Sequence, residues 1–215
     1  MGIEAFLRHL DDPSPGFRCT KAGAEDGSVR FVAKVSNPRN APADKKALAE
    51  LSRHLGPAAQ TFEGLYHESD GLVLYAQTDI RQRSYDPPYP AGLRFFPVKD
   101  WSRRTEEARD WIDALLFDDE ESEDWMKSGL AFAEMCHSGN YFLVQPDGPH
   151  AGKIYFQDHD CLWDWEEPLA QDLDGFLDLI QTDPAGFLYR MGCSTRSCDG
   201  RSQDQWVPET YIPDA

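Results

Sequence analysis

The residues best able to do chemistry sit together late in the chain. Asp158-His159-Asp160 runs into Cys161, with His150 and His137 upstream. Carboxylate, imidazole and thiolate groups are the usual ligands of divalent metals and the usual groups of acid–base catalysis. Neighbouring side chains of an extended strand point to opposite faces, so Asp158 and Asp160 can share one face while His159 points away. Three convergent ligands then need another segment, for which His137 is a candidate. No H-x-x-x-H or C-x-x-C spacing accompanies them. The competing reading is a strand end whose polar residues face solvent. A metal-dependent hydrolase using Asp158 and Asp160 is therefore carried as an alternative function, and no catalytic residue or metal site is assigned.

A second grouping suits recognition. Asp158, Asp160, Trp163, Asp164, Trp165, Glu166 and Glu167 set two indoles among five carboxylates. The span from Ile154 to Tyr189 holds nine acidic residues and no Lys or Arg. Acidic residues around exposed aromatics fit an Arg- or Lys-rich protein partner, with the aromatics as energetic anchors. If the segment is extended, both rings fall on the same side. The plainer alternative is two core tryptophans beneath a solvated acidic loop. Asp118 to Asp124, six acidic residues in seven, reads as a solvated loop or helix end.

The totals narrow the function classes. A net charge of −17 is the wrong sign for neutralising phosphates, which argues against nucleic acid and against an anionic membrane surface. It favours a basic protein partner through long-range steering, unless the acidity serves solubility alone. The 215 residues fit one domain with embellishments, and 40% hydrophobic residues suffice for a self-sufficient core. No apolar run approaches a membrane span, and Met1 to Arg8 lacks a secretory start, so a cytoplasmic protein is expected. Gly2 is followed by Phe6 where myristoylation needs Ser or Thr. Five cysteines, Cys19, Cys136, Cys161, Cys193 and Cys198, are an odd number and are expected reduced, with Cys136 and Cys161 buried on strands. Cys193 and Cys198 are spaced too loosely for a redox pair. No phosphate loop, dinucleotide glycine motif or nucleophile elbow occurs, and no cofactor is expected.

The positioning elements follow from periodicity. Ile3, Phe6, Leu7 and Leu10 predict a short helix, closed by Asp12-Pro13-Ser14-Pro15-Gly16. Val29, Phe31, Ala33 and Val35 alternate as a strand at a sheet edge. After a loop from Ser36 to Pro42, Asp44 is the expected N-cap of a helix carrying Leu48, Leu51 and Leu55. Gly56-Pro57 stops it and starts another carrying Phe62, Leu65 and Tyr66. A strand is expected over Leu72 to Ala76, a long polar loop from Gln77 to Pro90, and a strand over Leu93 to Val98. Ala108, Trp111, Ile112 and Leu115 share one helical face. Leu130 to Cys136, Asn140 to Gln145 and Lys153 to Asp160 form an antiparallel meander, with Pro146 to Gly152 as the hairpin loop. Leu162 to Gln171 reads as loop. Leu173, Phe176, Leu177 and Ile180 predict a helix, and Asp183-Pro184 opens a shorter one ending near Gly192. Residues 193–215 read as an extended tail that Trp206 and Tyr211 could anchor. Consecutive strands and clustered helices indicate an α+β fold with a largely antiparallel or mixed sheet flanked by helices.

This order of pieces resembles the SUKH superfamily, which includes fungal cell-wall assembly regulators of the Smi/Knr type. Leu51 to Leu72 is similar to the family's helix pair, with Asp70-Gly71 in place of the closing Asn-Gly and Gly64-Leu65 interrupting the centre. Gly139 to Leu143 and Gly152 to Asp160 look like its core hairpin, and Phe176 to Ile180 resembles its closing helix. The resemblance covers roughly residues 44–192, leaving 1–43 as an N-terminal helix and strand extension and 193–215 as the tail. It implies an α+β protein-binding scaffold without common catalytic residues. Many bacterial members are immunity proteins that neutralise a toxin, often a nuclease. The expectation is a non-catalytic scaffold that meets a basic partner, such as a cognate toxin, through its acidic surface. A housekeeping regulator binding a peptide or small ligand is a further alternative.

Overall fold

The computed structural model describes residues 3–11, 16–22, 29–79, 92–115, 127–136, 139–158, 167–191 and 205–211. Helix α1 (Ile3–Asp11) buries Phe6, Leu7 and Leu10, as their spacing predicts. Helix α2 (Lys45–Leu55) starts at Asp44, whose carboxylate accepts the Ala47 N–H at 2.8 Å. Gly56 turns the chain at φ +51° into a 3-10 turn, and α3 (Ala59–Glu68) follows with Phe62, Leu65 and Tyr66 fully buried. A Cβ at Gly64 would lie 2.8 Å from the Ile3 Cδ1. Gly64 lies inside an unbroken helix and is where α1 packs down onto it.

Two antiparallel sheets follow. The first orders its strands β3 (Leu72–Leu74), β5 (Leu93–Phe95), β6 (Leu130–Met135), β7 (Tyr141–Val144) and β8 (Ile154–Gln157). The second runs β4 (Ala76–Asp79), β2 (Val29–Ser36), β1 (Gly16–Ala22) and β9 (Gln205–Tyr211). Every pairing among these strands is antiparallel, so the α+β class stands, with the expected meander as β6-β7-β8. Both margins of the five-stranded sheet are bordered by extended chain. At β3, the Val73 N–H donates to the Pro38 carbonyl at 2.9 Å and Arg39 bridges Leu72. At β8, Ile154 and Ala170 exchange hydrogen bonds of 2.9 and 3.3 Å.

Helix α4 (Trp101–Leu115) crosses one face of this sheet, where the Gln157 side-chain amide donates to the Ala108 carbonyl at 2.8 Å. The other face meets α5 (Leu173–Thr182) and α6 (Pro184–Arg190). There Phe176 packs edge-on against Phe132, 5.5 Å between centroids, and Phe187 stacks on Phe142 at 5.9 Å. A register shift between Ala131 and Ala133 marks a bulge at Phe132, whose ring meets Phe62, Phe95, Trp101 and Phe176. Among the described residues no helix is long and apolar enough to cross a membrane.

Several boundaries differ from the sequence expectation. The strand expected over Leu72 to Ala76 is two strands in different sheets. Tyr75 breaks it at φ +58°, a conformation bulky residues seldom adopt, and its N–H is held by the Asn37 Oδ1 at 2.9 Å. The opening of the expected polar loop, Gln77 to Asp79, is strand because it pairs with Lys34 and Val35. The strand expected to reach Val98 stops at Phe95, since Pro97 and the 3-10 turn Val98–Asp100 lead into α4. Residues 16–22 form a strand not expected at all. In the expected tail, Gln205–Tyr211 pairs along the whole of β1. The N-terminal region therefore divides, with α1 in the main core and β1 and β2 in the second sheet.

Candidate functional site

Of the residues expected to recognise a partner, the structure describes Asp158 and Glu167. Asp158 is half-buried just beyond β8, and Glu167 is exposed. Asp160, Trp163, Asp164, Trp165 and Glu166 lie outside the described residues, as do His137, His159 and Cys161. Also outside are the acidic run 118–124 and the Cys193 and Cys198 pair. Among the described residues, no three His, Cys, Asp or Glu side chains group as metal ligands. His150 instead meets the Tyr155 hydroxyl, with Nδ1 and oxygen 2.8 Å apart.

The acidic character continues along α5, and the helix dictates how it is displayed. Leu173, Phe176, Leu177 and Ile180 are buried and Leu179 packs against the core, which leaves the acidic positions on the partly exposed side. Asp172, exposed, caps the helix by accepting the Gly175 N–H at 2.8 Å. Asp174 and Asp178 are half-buried and one turn apart, and Asp183 is exposed at the far end. Five carboxylates, Glu167, Asp172, Asp174, Asp178 and Asp183, are thus held on or beside one helix anchored to the aromatic core.

A second polar assembly was not anticipated from the sequence. On the sheet face beneath α4, Val73, Arg94, Glu134, Tyr141 and Gln157 are successive cross-strand partners, forming one row over all five strands. Glu134 is buried, its side chain 9% exposed, and accepts from the Arg94 Nη1 at 3.0 Å. Arg104 of α4 lies 3.5 Å from the other Glu134 oxygen, donates to Glu107 at 2.9 Å, and covers the Phe96 ring at 4.8 Å. Arg103 pairs with Glu107 as well, and the Tyr141 hydroxyl donates to it at 3.4 Å.

The charges tune one another. Burial would raise the Glu107 carboxyl, but Arg104 and Arg103 outweigh it and hold that group below its ordinary range. Burial would lower the Arg104 guanidinium, but Glu134 and Glu107 outweigh that and raise it. Tyr141 is raised by burial and by the same two carboxylates. The sequence did hold a signal for this row. Arg94 and Glu134 are lone charges inside otherwise apolar strands, Leu-Arg-Phe and Leu-Ala-Phe-Ala-Glu-Met. Such charges are rarely buried without partners.

No protein-family model matches the chain, and no curated protein matches it.

Proposed function

We propose that the chain is a non-catalytic protein-binding scaffold whose acidic face meets a basic protein. The observation that supports this is the set of five carboxylates on and beside α5, within a span free of Lys and Arg. A rigid helix carrying like charges steers a basic partner and orients it on arrival. In its sharper form, and in line with the SUKH resemblance, the partner is a nuclease-type toxin whose basic active-site region this face covers. The protein then acts as an immunity protein.

The test is association kinetics with the product of the neighbouring gene, co-expressed and separated by salt. Binding should weaken steeply with ionic strength. Replacing Glu167, Asp174 and Asp178 together by Lys should slow association by about tenfold or more at low salt, with the fold intact by circular dichroism. An unchanged association rate in that variant would show that the partner docks elsewhere.

A further inference from the structure

We infer that Arg94 is a recognition site for a carboxylate group, on the sheet face opposite α5. This is independent of the acidic-face reading.

The geometry of the guanidinium carries the inference. Among the described residues Arg94 gives one hydrogen bond, through Nη1 to the buried Glu134. A guanidinium has five N–H donors, so the edge formed by Nε and Nη2 remains for a second oxyanion. That edge is the planar fork that meets both oxygens of a carboxylate side-on. The side chain is 32% exposed, so the fork is reachable from solvent. Its orientation is set, because Glu134 holds it from one side and is itself fixed by the sheet and by Arg104. Two described neighbours are apolar or neutral. Val73 is its cross-strand neighbour on β3, and Cys136 lies two residues beyond Glu134 and is buried.

Local charge selects the ligand class. Among the ion pairs of the described residues here, three guanidiniums, Arg94, Arg103 and Arg104, meet two carboxylates, Glu107 and Glu134. A monoanion completes that balance, whereas phosphate would add about one charge too many near neutral pH. The carboxylate can belong to a free small acid or to the C-terminus of a peptide, and the two are separable by experiment.

The experiment titrates the nitrogen-15-labelled full chain while following the Arg94 Nε–H resonance, identified by its loss in Arg94→Lys, together with the Val73 backbone amide, on which wild type and variants are compared. Probes are acetate, trialanine, its C-terminal amide and inorganic phosphate, all at constant ionic strength. A saturable shift with acetate or trialanine, at least about tenfold weaker in Arg94→Lys, supports the site, since lysine keeps the charge without the fork. Trialanine binding more tightly than acetate, with a silent amide, identifies a chain terminus. Acetate binding as tightly or better identifies a free acid. A shift that never saturates, persists in Arg94→Lys, or is equalled by phosphate overturns the inference. Should Arg94→Lys unfold, Arg94→Gln with Glu134→Gln removes both charges together and must also abolish the saturable response on the Val73 amide.

Discussion

The thiol of Cys136 sits two residues beyond Glu134, and its surroundings decide its reactivity. Burial pushes it up to about 11, against the downward pull of Arg94. Thiolate is the reactive form, so Cys136 stays protonated and protected at neutral pH. A folded pKa above the ordinary 9.0 gives a stability contribution that is complete below about pH 9 and is lost as pH rises towards 11. Alkylation near pH 8, mapped by peptide mass spectrometry, should be about a hundredfold slower at Cys136 in the native protein than in urea. Rates within a factor of a few would show that the end of β6 opens readily. At this scale the sequence was uneven. Asp70-Gly71 was legible as a turn, and Gly71 adopts φ +89° where a Cβ would lie 2.8 Å from the Pro97 nitrogen. Tyr75 was not legible, because no residue type announces a positive φ held by a distant asparagine.

Helix α5 shows what local rules can carry. Its apolar spacing and the Asp183-Pro184 junction agree with the element formed, and the structure adds the cap at Asp172. Asp172→Ala should cost about 1 kcal/mol of stability, and Asp172→Asn much less, since asparagine can also accept the Gly175 N–H. Urea unfolding with an unchanged slope is the measurement, and equal midpoints for all three proteins would remove the cap from the account. The second sheet, by contrast, was mostly invisible. Strand β9 carries Pro208 at its centre, tolerable because among the described strands β9 lies at an edge and pairs with β1. At the Gly16 and Tyr211 pairing the partners are 195 residues apart in sequence, and no local periodicity reports such a contact. The acidic segment expected to recognise a partner was read from composition alone, and the Arg94–Glu134 row escaped because register between strands decides which charges meet.

For the molecule as a whole, −17 charges on 215 residues impose self-repulsion that salt relieves. Salt also weakens the exposed Arg103–Glu107 and Arg39–Asp11 pairs. Exposed pairs are worth at most about 1 kcal/mol each, so relief of repulsion should prevail. The melting temperature should therefore rise as sodium chloride increases from about 10 to 150 mM, where the screening length falls from about 30 to 8 Å. A fall would mean that the ion-pair row under α4 dominates the electrostatics. The α+β class was readable at this scale because the order of helices and strands survives errors at their boundaries. One feature of the architecture bears on how any partner reads the molecule. Pro38 to Asn40 and Ala170 already occupy the main-chain hydrogen bonds at Val73 and Ile154. A foreign peptide cannot extend the five-stranded sheet at those points without first peeling away the chain's own segments. Recognition there must run through side chains, so partner choice can be rewritten residue by residue on an unaltered scaffold.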